Sequence, residues 1–333
     1  MAKSFTAHWA RADGPAEPKA VESVLDLIGD TPLLQIRKIA PGLSPGVRIF
    51  AKLEGCNPGG SVKDRAALKM VQEGIKSGKL REGKTIIDST SGNTGIALAL
   101  IGTVLGYPVE LVMPSNVSSE RKRIIAALGA KIIFSDPLEG SDGAIRLCRK
   151  ILEEEAQKYF KPDQYFNPMN PQAHYETTGP EIYRQTDGEI THFIAGIGTG
   201  GTIMGTGRYL KERNPRIRVI AVEPDDALHG LEGLKHMASS IVPGIYREEE
   251  LDEKISVSTE DAYAMVYRLS QEEGVLVGQS SGAAMYATLQ IARKIRSGTL
   301  VTVFPDFGDK YLTTNLWVGW RDKLTVGNLN FSI

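Results

Sequence analysis

The sequence predicts an α/β fold of two domains, each with a mainly parallel sheet flanked by helices, and three observations carry that expectation. The chain has 333 residues, enough for two separate cores. Short β-rich runs alternate with amphipathic stretches along most of its length. Three glycine-containing turns each lead from an expected strand into an expected helix.

Residues 85–87 read as a strand, 96–105 as a helix and 109–113 as the next strand, which is the punctuation of a βαβ unit. The unit repeats, with a helix over 118–128 stopped by Gly129 and a strand over 131–134. Such a series calls for a parallel sheet covered on both faces. After the polar, proline-containing stretch 162–171 a second series begins: a strand over 192–195, a helix over 203–213 and a strand over 218–222. A helix over 259–273, a strand over 275–277, a helix from Ala283 and a strand over 300–304 complete it. The boundary is expected near Asn167, giving an N-terminal domain of residues 1–166 and a C-terminal domain of residues 167–333.

Composition narrows the partners. With 39 basic and 40 acidic residues the formal net charge is -1, so no global field draws the chain to nucleic acid or an anionic membrane. A small-molecule partner is expected. Cys56 and Cys148 are too few for a disulfide framework and lack the paired spacing of a zinc site, so both read as buried or idle thiols in a reducing compartment, and no metal is expected. The first twenty residues include Lys3, Arg11 and Lys19 but no apolar core of signal-peptide length, and no apolar run spans a bilayer. A cytoplasmic location is expected, with an organellar transit peptide as the alternative.

The three turns are Thr90-Ser91-Gly92-Asn93-Thr94-Gly95, Gly196-Ile197-Gly198-Thr199-Gly200-Gly201-Thr202 and Gly278-Gln279-Ser280-Ser281-Gly282. Each aims backbone N–H groups and the positive end of a helix at one spot, which makes each a candidate anion site. Gly196, Gly198 and Gly201 also match G-x-G-x-x-G, and Glu223 closes the next strand where a ribose-binding acid belongs. Against a dinucleotide stands position: that fingerprint normally opens a domain, whereas here it follows a complete α/β unit and leaves two turns without a role. Lys63 follows the tight turn Asn57-Pro58-Gly59-Gly60-Ser61-Val62, at the start of a helix expected from Arg65. Asp64 stands where a Walker A loop needs Ser or Thr. From spacing alone an ordinary surface lysine fits Lys63 equally well.

Taken in order and at their separations, residues 59–65, 90–95, 198–202 and 278–282 resemble the pyridoxal-phosphate enzymes of the tryptophan-synthase β fold, fold type II. The chain looks most like a B-type cysteine synthase, an O-acetylserine sulfhydrylase, from Ile28-Gly29-Asp30-Thr31-Pro32-Leu33 through Asp309-Lys310-Tyr311-Leu312-Thr313. The resemblance implies pyridoxal 5'-phosphate as cofactor, carried by Lys63. Gly198, Thr199, Gly200, Gly201 and Thr202 would wrap its phosphate, Asn93 would bond the ring hydroxyl oxygen, and Ser280 would face the pyridine nitrogen, with Asp306 as the alternative partner. Thr90, Ser91, Asn93, Thr94 and Gln164 would cradle the substrate carboxylate. A serine at the nitrogen leaves the ring a weaker electron sink than a carboxylate does, which suits β-replacement.

The implied reaction makes L-cysteine from an activated serine and sulfide, with Lys63 as general base. Lys235 and His236, just before Val242-Pro243-Gly244, fall where the B-type enzymes carry basic residues at the cleft mouth, so Lys235 is a candidate for a phosphate or thiosulfate and both O-acetylserine and O-phosphoserine stay open. Cystathionine β-synthase chemistry is the alternative within the family. The resemblance also implies a homodimer, and it brings serine acetyltransferase and a sulfur-carrier protein forward as partners. The apolar tail over 317–333, with Trp317, Trp320, Phe331 and Ile333, is expected to cover the active-site mouth or to pack along an interface or groove.

Overall fold

The computed structural model describes residues 20–90 and 92–317. In chain order come β1 (Leu33–Ile36), β2 (Gly46–Leu53), α1 (Lys63–Lys76), β3 (Thr85–Ser89), α2 (Asn93–Leu105), β4 (Val109–Pro114), α3 (Ser119–Ala127), β5 (Lys131–Ser135), α4 (Gly140–Glu154) and β6 (Tyr159–Phe160). The helices α5 (Met169–Glu176) and α6 (Thr178–Gln185) lead on to β7 (Ile190–Gly196), α7 (Gly201–Arg213), β8 (Arg218–Pro224) and β9 (Glu253–Val257). The last elements are α8 (Thr259–Arg268), α9 (Gln279–Ala292) and β10 (Ser297–Phe304).

Two sheets result. The smaller has the order β5-β4-β3-β6 and is parallel throughout. The larger has the order β1-β2-β10-β7-β8-β9 and is parallel except for the β1–β2 pair. Helices cover both faces of a parallel sheet, so its inner strands lose the in-out alternation of a half-exposed strand. All five residues of β3 are buried, as are the last six of β10. Helix α2 is apolar nearly all round and buries residues 94–102 beside the smaller sheet.

Sheet membership does not follow a single cut near Asn167. The smaller sheet does end with β6, but β1 and β2 precede it and belong to the larger sheet, with Ile49 opposite Leu300 and Phe50 opposite Val301. Local periodicity carries no trace of a pairing between residues some 250 positions apart.

Four helices begin earlier than their apolar periodicity does: α1 at Lys63 and not Arg65, α2 at Asn93 and not Ile96, α7 at Gly201 and not Ile203, α9 at Gln279 and not Ala283. Backbone hydrogen bonding starts within the Gly- and Ser-rich turns, where side chains give no periodic signal. The displacement matters, because it puts Lys63, Thr202 and Ser280 on the first turns of their helices. Residues 275–277 form no strand; Val277 makes only an isolated bridge to Phe307. The helix expected over 259–273 is α-helical to Arg268, then closes in a π-turn over Leu269–Glu273 that Gly274 ends in the left-handed conformation. Among the described residues no helix is long and apolar enough to cross a membrane.

Candidate active site

At the C-terminal ends of β7 and β10 a cavity of about 450 Å³ opens between the two sheets. In open α/β sheets this is the usual place for a ligand. Lys63, Asn93, Thr94, Gln164, Gly198, Thr199, Gly200, Gly201, Thr202, Lys235 and Ser280 all line it, so residues spread over more than 200 positions meet in one space. Thr90 stands behind the wall, its hydroxyl accepting from the N–H groups of Gly92 at 3.0 Å and Gly95 at 3.2 Å. Ser91 lies outside the described residues, as does the tail beyond Trp317.

Lys63 is the first residue of α1, and its N–H donates to Ser61 Oγ at 3.3 Å. Its amine makes none of the described hydrogen bonds or ion pairs. Burial lowers its pKa, and the Asp306 charge opposes that only in part. The result is an amine readied for nucleophilic or base chemistry. The start of α1 is held by a buried charge cluster: Arg65 Nε lies 2.7 Å from Glu54 Oε2, Arg65 Nη1 lies 2.6 Å from Glu181 Oε1, and Lys52 Nζ lies 2.7 Å from Glu181 Oε2. Thr31 adds a hydroxyl, donating to Glu54 Oε1 at 2.6 Å.

The turn before α7 is built so that its backbone faces the cavity. Gly200 has φ +87°, and a Cβ on Gly201 would lie 1.9 Å from Asn170 Oδ1. Asn170 Nδ2 in turn donates to Thr199 Oγ1 at 2.9 Å, which fixes the loop from behind. Thr202 Oγ1 lies 3.3 Å from His174 Nε2, and burial together with the Arg65 charge holds that imidazole down at about 3, so it is neutral at physiological pH. N–H groups at a helix start with no partner of their own suit an anion such as a phosphate ester. Loop, lysine and cavity therefore fit pyridoxal 5'-phosphate.

The substrate turn is tied down by Gln164 and by Lys310, the second of which the sequence motifs left without a role. Thr94 Oγ1 donates to Gln164 Oε1 at 2.7 Å, and Gln164 Nε2 donates to the Ser89 carbonyl at 3.0 Å. Lys310 Nζ donates to Asn93 Oδ1 at 3.1 Å and to the carbonyls of Gly59 at 3.0 Å and Gly60 at 2.9 Å, joining the Lys63 turn to the Asn93 turn. Arg121, also on the cavity wall, lies over the Tyr311 ring at 4.6 Å and pairs with Glu232. Asp309-Lys310-Tyr311 marks the end of the family resemblance in the sequence, yet no local pattern predicts that Lys310 reaches back some 250 residues.

Ser280, on the first turn of α9, is 6% exposed and faces the cavity. Asp306 is 1% exposed and is not part of the cavity wall; its Oδ2 accepts from Asn93 Nδ2 at 2.7 Å and from the Tyr311 hydroxyl at 2.5 Å. Lys235 is more enclosed than a residue at an open mouth: it is 9% exposed, its Nζ lying 3.7 Å from Asp142 Oδ1. His236 is not part of the cavity wall, and its Nδ1 lies 2.8 Å from Ser239 Oγ. Cys148 is buried as expected, but Cys56 is exposed, because it ends a short 3-10 turn at the surface between buried Gly55 and Asn57.

The family model described as "Pyridoxal-phosphate dependent enzyme" matches residues 24–306. A cysteine synthase of Aquifex aeolicus is 57% identical over 304 residues, covering 90% of this chain and 93% of that protein. Cysteine synthase B of Pseudomonas aeruginosa is 40% identical, covering 89% and 97%. Among solved structures, cysteine synthase of Entamoeba histolytica superposes with a TM-score of 0.87 at 38% identity, covering 92% of this chain and 94% of that one. The chain belongs to the pyridoxal-phosphate dependent enzymes of fold type II, in their cysteine synthase branch.

Proposed function

We propose that this cavity makes L-cysteine from O-acetylserine and sulfide, with Lys63 as the residue that carries the cofactor and moves the proton. The observation that carries the reading is the meeting of Lys63, Ser280, the glycine turn of α7 and the Asn93–Thr94 turn on one cavity wall. Pyridoxal phosphate, when bound, supplies the electron sink that β-replacement needs. The N–H groups of residues 198–202 and the hydroxyls of Thr199 and Thr202 hold its phosphate, Asn93 orients its ring hydroxyl, and Ser280 meets the ring nitrogen without imposing a charge. Ser91, Asn93 and Thr94, backed by Thr90 and Gln164, hold the substrate carboxylate and so fix the amino acid's orientation. The buried Lys63 amine takes the α proton; acetate leaves with the electrons of the Cβ–O bond, and sulfide supplies those of the new Cβ–S bond.

In the same reading the smaller sheet carries the substrate turn and the larger carries the phosphate loop. The protein works as a cytoplasmic homodimer, and its cleft receives the C-terminal peptide of serine acetyltransferase, with a sulfur-carrier protein as the alternative partner. The family resemblance supports these assignments, and sedimentation of the purified protein tests the dimer. The activity itself is tested by loading the protein with cofactor and assaying cysteine formation from O-acetylserine and sulfide. Cysteine release that depends on both substrates and on Lys63 is expected; formation of cystathionine from homocysteine, without cysteine from sulfide, would overturn the assignment.

A further inference from the structure

Two cations stand on the cavity wall away from Lys63, and each is opposed by a carboxylate. Arg121 of α3 pairs with Glu232, and Lys235 meets Asp142 of α4 at 3.7 Å. In the second pair Lys235 is enclosed and Asp142 half-buried, with side chains 10% and 31% exposed. Asp142 Oδ1 is shut off from water and accepts no hydrogen bond among the described residues, so the Lys235 ammonium is the charge that balances it. Lys235 is held in place independently: its N–H donates to the Ile197 carbonyl at 2.8 Å, next to the phosphate turn, and its ammonium lies 5.2 Å from the Tyr165 ring centre. Burial lowers the Lys235 pKa and Asp142 raises it, so the carboxylate favours the charged form of the lysine while occupying it.

We propose that Asp142 is a specificity-determining residue, which by engaging Lys235 selects a neutral acyl leaving group on the activated serine over a phosphoryl one. The inference rests on the β-replacement reading of the cavity. A phosphate monoester carries a charge of about -1.5 to -2 at neutral pH. To enter, it must take Lys235 from Asp142 and leave that carboxylate both uncompensated and close to a like charge, an arrangement that electrostatic complementarity disfavours. An acetyl ester makes no such demand. Lys235 alone would recommend a phosphate substrate; the Asp142–Lys235 pair reverses the preference.

The test compares kcat/KM for O-acetylserine and O-phosphoserine, both with sulfide, in the cofactor-loaded wild type, Asp142→Asn and the double variant Asp142→Asn/Lys235→Ala. In Asp142→Asn the ratio of phosphoserine to acetylserine should rise about tenfold or more, and the double variant should lose that rise. Asp142→Ser carries the same comparison should the Asn variant fail to fold. An unmoved ratio, a rise that survives loss of Lys235, or a wild type that already favours O-phosphoserine would each overturn the proposal. A wild type that makes no cysteine from either ester would instead remove the β-replacement reading on which it rests.

Discussion

Asn93 and Asp306, 213 positions apart in sequence, are joined by a hydrogen bond of 2.7 Å from Asn93 Nδ2 to Asp306 Oδ2. The Tyr311 hydroxyl donates to the same oxygen, so the carboxylate braces the substrate turn and stays off the cavity wall. Ser280→Ala is therefore expected to retain cofactor and to slow turnover about tenfold, the effect of one lost hydrogen bond to the cofactor. Asp306→Asn should raise KM through Asn93 and leave the cofactor's visible spectrum unshifted. A spectrum that moves in Asp306→Asn and not in Ser280→Ala would assign the ring nitrogen to Asp306.

Lys63→Ala should fold, since the amine takes part in none of the described ion pairs, and should lose roughly 10²- to 10⁴-fold in turnover from the missing base alone. Far-UV circular dichroism checks the fold and cysteine release checks the rate. Undiminished cysteine production would remove Lys63 from the chemistry.

Gln164 holds the Thr94 hydroxyl in place and is itself fixed by the Ser89 carbonyl. Gln164→Ala leaves Thr94 Oγ1 free to rotate and should raise KM for the amino-acid substrate about tenfold, with a smaller fall in kcat. Steady-state kinetics at saturating sulfide separates the two effects; a pure kcat loss would place Gln164 outside substrate binding.

The cluster beneath α1 gives a pH signature. Burial pushes Glu54 up, but the Arg65 charge and hydrogen bonds from Arg65 and Thr31, with the Lys52 charge, outweigh it and hold the carboxyl at about 2. The folded value lies below the unfolded value near 4.5, so the stabilisation is fully present above pH 4.5 and is lost as the pH falls toward 2. Glu54→Gln should lower stability by roughly 3–5 kcal/mol at pH 7 by leaving buried cations short of a partner. Its difference from wild type should narrow between pH 4.5 and 2. Urea titrations at several pH values measure this, and a pH-independent difference would deny Glu54 its charge in the folded state.

The fold class and the three cavity turns were legible because they depend on local signals: short β-rich runs alternating with amphipathic stretches, and glycine placed after a strand. Asn93, Gly198, Thr202 and Ser280 lie in such turns and Lys63 follows another tight turn; their roles came from the family resemblance, and the cavity gathers all five. Arg121 and Asp142 sit outside any motif and Lys310 in one that gave it no role, and their contacts with Glu232, Lys235 and Asn93 span 111, 93 and 217 positions. A contact of that kind is fixed by how two sheets face each other, which no window of sequence contains. The same limit hid the membership of β1 and β2. It also left Lys235 looking like an available cation, since spacing does not reveal that a carboxylate from α4 arrives beside it.

The pairing of β2 with β10 has a consequence for how the molecule comes into being. A chain is synthesised from its N-terminus, and β2 must wait for a partner that ends at Phe304. Until then the larger sheet lacks a central strand, and β1-β2 remains separate from β7-β8-β9. The smaller sheet closes with β6 at Phe160 and has all its strands long before. Assembly is thus ordered, with the smaller sheet able to form early and the larger one completed only once β10 has been made, at the cost of holding a long loop open. Pro305, next to β10, lies on the cavity wall and accepts the Val62 N–H at 2.8 Å, so the surroundings of Lys63 are among the last parts to be completed. A nascent chain stopped before Ser297 would carry the lysine and nearly every residue around it without a place to put them.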